Sequence, residues 1–436
     1  MVRFIVYFSA ILLFLCSPEA GARTVTLEAA VEYALTHSEA IRMAEQGTRA
    51  AKHDADRGVA FTAPQFTLSG AYAEMGDNAP DPPVSFLQGP DRDVSAEIQG
   101  RQVLYAGGRI GASRTLRDRQ YGLAGLNEAV EVRDIRQRVR NAFDAVLHQR
   151  AAVEILTDRV RQREAELADA RDLREVGMVT SLDVRQARLN LNMARDALSE
   201  GEAGHGEALI AFNLAIGRSG SEAPWVPEGD LRDIPPADNL VARLRGDPAD
   251  ADQIDIRGAE ARSRSAELEA DLAHGDRLPS LYLVASGGSA GESPDVMDES
   301  WRVGLQASWD LMDGGAGRAA EAAARARMRR AGHAASQTRK AVAGEMAAVR
   351  VNIESLAQRI ILQREAVTLA AENYKDARGH YRAGTITLTR LGEFSLATAE
   401  ARFNLIRLYY LMRGQITRAR AVLTVAPDRA RPMGDY

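Results

Sequence analysis

Apolar residues fall on every seventh position from Val132 through Val139, Val146, Val153, Val160 and Leu167. No proline lies between Arg109 and Val176, and the only glycines there are Gly111, Gly122 and Gly125. A heptad stripe without breakers predicts one long α-helix that supercoils against partners. At 1.5 Å per residue, the span 109–176 reaches about 100 Å, too long for the core of one compact domain. The stripe recurs 207 residues later as Met346, Ile353, Ile360, Val367 and Tyr374. The same offset carries Leu104 to Leu311, Gly107-Gly108 to Gly314-Gly315, Gly177 to Gly384, and Thr180 to Thr387. The chain therefore reads as two tandem copies of one unit.

The pattern predicts the same element order in each copy. In the first (23–217), Thr24–Thr36 and Ser38–Val59 read as helices, followed by a β-hairpin over about 65–104. The long helix 109–176 and a partner helix 181–216 complete it. Residues 218–239, with Pro224, Pro227, Pro235 and Pro236, read as a linker. The second copy (240–425) holds a helix interrupted near Gly246-Asp247-Pro248, a hairpin over about 280–311, a long helix 316–383 and a last helix 386–425, before a tail at 426–436. Gly76–Asp93 is proline-rich and reads as a loop, as does the Gly- and Asp-rich stretch after Ser286. The clearest strand puts Trp301, Val303, Leu305, Ala307, Trp309 and Leu311 on one face, with Arg302, Gly304, Gln306, Ser308 and Asp310 on the other.

About ten tilted residues of this alternation span an outer-membrane bilayer, apolar side chains outward. A four-stranded soluble sheet packed on a helix would also alternate. Against it, the strands come as two hairpins, each joined through Gly-Gly to a helix longer than any sheet needs. Four strands cannot close a barrel, and an open edge cannot sit in lipid. Strands that span a membrane would thus require several chains to share one barrel. The fold class predicted is mainly α with a small transmembrane β part: long coiled helices in tandem repeat, plus two hairpins that complete a shared barrel.

Composition adds the compartment. Met1–Ala22 reads as a signal peptide, with Arg3, an apolar run Phe4–Cys16, and Ala20-Gly21-Ala22 as the cleavage site. Cleavage leaves no cysteine; Cys16 raises lipidation as a second option, opposed by bulky Leu15 where that processing wants a small residue. No other stretch is apolar enough for a transmembrane helix. The net charge is −5, and Arg and Glu alternate along helices without a dense basic patch, so no nucleic-acid partner is expected. The seven histidines (37, 53, 148, 205, 274, 333, 380) form no i,i+4 metal pair, and Gly107-Gly108 and Gly314-Gly315 lack the Lys-Ser/Thr of a phosphate loop. Neither a catalytic site, a cofactor nor a metal is expected.

These residues resemble the outer-membrane efflux protein family, the TolC-like exit ducts of Gram-negative bacteria. The likeness rests on Thr26–Val31, Leu104–Arg109, Leu311–Gly315, and above all Gly177–Arg188 with its counterpart Tyr381–Thr387. It implies a homotrimer whose barrel lies in outer-membrane lipid and whose helices tunnel through the periplasm. It also implies opening by a periplasmic adaptor (membrane fusion protein) and an inner-membrane pump of RND or ABC type. By resemblance, adaptor docking falls on the helix tips at Gly177, Met178, Leu182, Gly384 and Thr385, and gate contacts fall on Asp183 and Tyr381. The family's further basic gate partner falls on Ile386. A tunnel constriction falls on Arg390 and Glu393, the first basic where the family carries an acid. The alternative from another class is a periplasmic coiled-coil scaffold or adaptor without a pore. Whether the cargo is a small molecule or a polypeptide stays open.

Overall fold

A computed structural model describes residues 23–74, 92–219, 223–235, 237–246, 252–293 and 296–427. The expected signal peptide with Cys16, most of the expected loop at 76–93 and nearly all of the tail lie outside the described residues. The chain divides into two compact units. Unit 1 comprises residues up to 43, 129–253 and 341–426; unit 2 comprises 44–128 and 254–340, with the C-terminal residues.

Unit 2 contains most of α2 (Glu39–Val59), a 3-10 turn at Ala60–Thr62, β2 (Gln65–Glu74) and β3 (Arg92–Ala106). It also holds α6 (Ile254–Gly275), β5 (Ser280–Ser293) and β6 (Val296–Ser308). The N-terminal parts of α3 (Arg109–Glu175) and α7 (Ala316–Arg382) belong to it as well. The four strands form one antiparallel sheet in the order β2-β3-β5-β6, leaving β2 and β6 as its edges. Register brings Leu68, Ile98, Gly287 and Trp301 into one row, and Phe66, Gly100, Ala285 and Val303 into the next. Directly paired residues share a face, so Phe66 and Leu68 of β2, Ile98 of β3, Leu283 of β5 and Trp301, Val303 and Leu305 of β6 lie on one face. Phe66 lies across Gly100, where a Cβ would stand 2.9 Å from its ring. This face is uncovered: Trp301 is 83% exposed, Leu68 78% and Leu305 68%.

Two expectations about the hairpins need correcting. β5 continues to Ser293 through the Gly- and Ser-rich run expected as loop, because each of its residues from Ser280 to Ala290 has a partner on β6. β6 stops at Ser308, so the expected 280–311 hairpin ends three residues early and Trp309 and Leu311 lie beyond the strand. Trp309 donates its indole N–H to the Arg277 carbonyl (3.1 Å) instead of continuing the ladder. The first hairpin runs two residues past 104, to Ala106, and takes in Arg92 and Asp93 from the expected loop.

Unit 1 contains β1 (Arg23–Val25), α1 (Leu27–His37), α4 (Ser181–Ala215), β4 (Trp225–Pro227), α5 (Asp238–Leu244) and α8 (Leu388–Val422), with the C-terminal parts of α3 and α7. The expected helix from Thr24 starts instead at Leu27, capped by Thr26, because Arg23–Val25 pairs in parallel with Trp225–Pro227. The stretch expected as a plain linker therefore holds a strand. The last helix ends at Val422 rather than 425, and Val425 instead bridges to Gln253. α3 and α7 are 67 residues each and α4 and α8 are 35 each. Val139, Val146 and Leu167 on α3, and Met346, Ile353 and Ile360 on α7, are buried, so the heptad stripes form the core of this unit. Among the described residues, no helix is long and apolar enough to cross a membrane.

Candidate functional site at the helix tips

The two helical hairpins of unit 1 end in turns of one design. At the end of α3, Gly177 takes φ 76° and donates to Arg174 O (3.0 Å), while Met178 N donates to Leu173 O (2.8 Å). At the end of α7, Gly384 takes φ 71° and donates to Tyr381 O (2.9 Å), while Thr385 N donates to His380 O (3.0 Å). Both are Schellman caps, which need the left-handed conformation that glycine adopts without a Cβ clash. The next helix starts three residues later under a threonine cap. Thr180 receives Asp183 N (3.3 Å), and Asp183 Oδ2 accepts from Thr180 N (2.8 Å) and its hydroxyl (2.7 Å), a full capping box. Thr387 receives Arg390 N (3.3 Å), but arginine in the Asp183 position cannot close the box.

Four helices pack behind these turns. Leu167, Ala170 and Leu173 of α3, Ala187 and Leu191 of α4, Ala377 and Tyr381 of α7, and Leu388 and Leu391 of α8 form one buried cluster. The turns meet as well: a Cβ on Gly384 would collide with the Met178 side chain. Val176, Met178 and Leu182 remain exposed around the first turn, as does Thr385 at the second.

The sequence-derived gate pair is not joined by a hydrogen bond. Asp183 spends its carboxylate on Thr180, and those hydrogen bonds, side-chain first, hold its pKa down. Tyr381 is 1% exposed and its hydroxyl has no hydrogen-bond partner among the described residues. Burial first, then the charges of Asp183, Asp169 and Glu166, push its pKa up to about 12. Arg390 and Glu393 form an ion pair within the chain at 2.5 Å, and the Arg390 guanidinium lies over the Phe394 ring at 5.0 Å. Both are more than half exposed.

What the sequence reading missed is an ionic clamp between α3 and α7 just behind the tips. Asp169, with a side chain 3% exposed, accepts from Arg378 Nε (2.8 Å) and Arg382 Nε (2.9 Å). One turn earlier, buried Glu166 accepts from the Tyr374 hydroxyl (3.0 Å) and from Arg163 (2.7 Å). The bond to Asp169 raises the pKa of Arg378, and burial raises that of Tyr374. The signal was present: Glu166 and Asp169 flank Leu167 on the buried side of the heptad, where an acid survives only with partners.

The profile of the outer membrane efflux protein family matches residues 30–218 and 248–426. No curated protein is a significant match to the chain. Among solved structures, it is similar to the outer membrane protein VceC from the bacterial pathogen Vibrio cholerae, at 17% identity over 92% of this chain and 97% of that one, with a TM-score of 0.78. The Campylobacter jejuni CmeC outer membrane channel is 14% identical over 93% of this chain and 87% of that one, with a TM-score of 0.77. The open state of the Neisseria gonorrhoeae MtrE outer membrane channel is 14% identical over 91% and 88%, with a TM-score of 0.73. At such identities these likenesses speak for the fold. The family profile covers both repeats, from the first helix to the end of α8, and on that ground the chain belongs to the outer membrane efflux protein family.

Proposed function

We propose that three copies of the chain share one β-barrel in the outer membrane and that their helices form a periplasmic exit duct. The observation that carries this is the sheet: one face exposes Phe66, Leu68, Ile98, Trp301, Val303 and Leu305, and both edge strands lack a partner among the described residues. In water such a face and such edges aggregate. In a closed barrel, lipid covers the face and neighbouring copies pair the edges. A periplasmic coiled-coil scaffold would need neither.

The helix tips are the adaptor-docking points in this reading. Met178 and Leu182 offer apolar contact at one turn, and Gly177, Gly384 and Thr385 present backbone at both. A periplasmic adaptor and an inner-membrane pump supply the differential binding that opens the duct. The pairs from Glu166 and Asp169 to Tyr374, Arg378 and Arg382 favour the arrangement in which the two hairpins lie together. Tyr381 acts from within the buried cluster, Asp183 from the first turn of α4 beside Val184, which packs on that cluster, and Arg390 and Glu393 narrow the conduit as a mixed-sign ring.

Membrane fractionation tests the reading. The protein is expected in the outer-membrane fraction, resistant to salt and carbonate, extracted by detergent as a trimer, and conducting in planar bilayers. Release by a salt wash as a monomer would overturn it.

A further inference from the structure

The sheet has a second face, opposite the apolar one. The charged residues at its paired positions are Asp93, Glu97 and Arg101 on β3 and Asp298 and Arg302 on β6, all exposed. β3 and β6 both run toward the long helix that follows them. On each, an arginine therefore lies four residues nearer the helices than an acid: Arg101 after Glu97, and Arg302 after Asp298. Four residues of a strand tilted by about 40° separate the two by about 10 Å along a barrel axis. Their cross-strand neighbours carry no charge. Ser69 and Gly288 flank Glu97, Gln65 and Val284 flank Arg101, Ser286 abuts Arg302 and Ala290 abuts Asp298. Glu97 and Arg302 line one open hollow of about 290 Å³ and make no ion pair across it. The Arg101 guanidinium lies 3.7 Å over the Tyr282 ring, which holds it at the wall without cancelling its charge.

With the apolar face in lipid, this face lines the barrel. Neighbouring copies pair the edges and leave it open to water. β2 and β5 bring no charge to their paired positions on it. In a barrel of three copies, every second strand would thus carry an outer acid and an inner arginine. Twelve strands about 4.8 Å apart and tilted by about 40° close at a radius of about 12 Å. Side chains reach several ångströms inward, so the axis lies within about one Debye length, ~8 Å, of the charges in physiological salt. Charge that close to a narrow path governs what passes along it.

We infer that the barrel lumen is bipolar, basic toward the helices through Arg101 and Arg302 and acidic toward the outside through Glu97 and Asp298, and that it favours neutral and zwitterionic cargo. The second clause rests on the duct reading above. A multiply charged solute of either sign meets a girdle of its own sign. A zwitterion offers each girdle the opposite charge, and a neutral solute meets no barrier at either.

Single cysteines in the full chain, labelled in outer-membrane vesicles, read the local potential. The sequence has one cysteine, Cys16, so the unsubstituted protein sets the background. Ser286→Cys sits beside Arg302 and Ala290→Cys beside Asp298. The rate ratio of an anionic to a cationic methanethiosulfonate reagent should be at least about tenfold higher for Ser286→Cys than for Ala290→Cys, and less so as salt rises. Adding R101Q/R302Q should shrink that difference to within about threefold, and R101K/R302K should keep it. Heat-modifiable trimer yields would verify that both variants assemble. Equal ratios for Ser286→Cys and Ala290→Cys overturn the bipolar lumen. Ala285→Cys, on the apolar face, should stay unreactive. Reaction there as fast as at Ser286→Cys refutes the lipid-facing sheet itself. Swelling of proteoliposomes tests the cargo clause. A zwitterionic solute should enter faster than a dianion or a dication of similar size. E97Q/D298N should speed the dianion, and R101Q/R302Q the dication. Zwitterion entry with unchanged dianion and dication rates in these variants overturns the preference. Vesicles that swell in none of the solutes refute the duct and the cargo clause with it, and leave the girdles to stand or fall on the labelling.

Discussion

Tyr381 shows how little a residue's chemistry can be judged from its type. Its ring fills the cluster behind the tips while its hydroxyl, 1% of the residue being exposed, finds no hydrogen-bond partner among the described residues. Removing an unpaired buried hydroxyl forfeits no hydrogen bond, so Tyr381→Phe should leave thermal stability at pH 7 unchanged or raise it by up to about 1 kcal/mol. The pH dependence has a definite sign. The folded-state pKa, about 12, lies above the ordinary value of 10.0. Tyr381 therefore contributes no loss below pH 10, and its stabilising protonation is lost as pH rises from 10 to 12. Melting curves should show that alkaline loss shrink in Tyr381→Phe; an equal loss would mean other groups govern it. Arg390 and Glu393 already satisfy each other within one chain, so a ring of them, as proposed, would be neutral but bulky. Replacing both by Ala should raise single-channel conductance, and unchanged conductance would remove them from the constriction. The family resemblance pointed to Asp183 and Tyr381 through a local motif, and no hydrogen bond joins the two. The sequence could not locate the Asp169–Arg378 bond, which joins residues 209 apart and depends on how two long helices register. Only the acids placed beside heptad core positions hinted at it.

At the level of elements, the two tip turns are built alike and differ in one contact. Both glycines sit near φ 70°, where a Cβ costs about 1–2 kcal/mol. A Cβ on Gly177 meets nothing within 4 Å, whereas on Gly384 it meets Met178. The atom it meets is the end of a flexible, exposed methionine that can swing aside, so Gly384→Ala should destabilise only slightly more than Gly177→Ala, and Met178→Ala should remove that small excess without removing the strain. A double-mutant cycle in chemical denaturation measures this; no coupling between positions 178 and 384 would mean that the turns do not touch. The clamp makes a second prediction at this scale. Asp169→Asn keeps the shape but removes the charge that two arginines share, with an expected loss of about 1–3 kcal/mol. Protease cleavage at the tips should speed up and open-channel probability should rise. Long helices and the Gly-Gly pairs at their starts were legible because heptads and turn glycines are local signals. The three-residue strands Arg23–Val25 and Trp225–Pro227 were not, since neither has a pattern of its own and each exists only through the other. Strand ends were misjudged for a related reason: the Gly- and Ser-rich end of β5 is held by cross-strand bonds rather than by side-chain preference.

For the molecule as a whole, everything turns on where the exposed sheet face goes. Exposed apolar residues of this face run across all four strands, from Phe66 and Leu68 on β2 through Ile98 on β3 and Leu283 on β5 to Trp301, Val303 and Leu305 on β6. A barrel closed by copies brings β6 of one chain beside β2 of the next, so the apolar band would continue across the seams. Two adjacent substitutions separate this from a sheet that faces water. Val303 is on the apolar face and 62% exposed. Gly304 is on the other face, and a Cβ there meets nothing within 4 Å. Val303→Arg and Gly304→Arg thus place the same charge one residue apart on opposite sides. In lipid, the first should cost about 2–4 kcal/mol near the bilayer midplane and deplete the heat-modifiable trimer from outer-membrane fractions. The second should point into the barrel, leave the trimer intact and change its conductance. In water both charges would be solvated and both variants would assemble as wild type does, so equal trimer yields from the two would rule out the lipid-facing sheet.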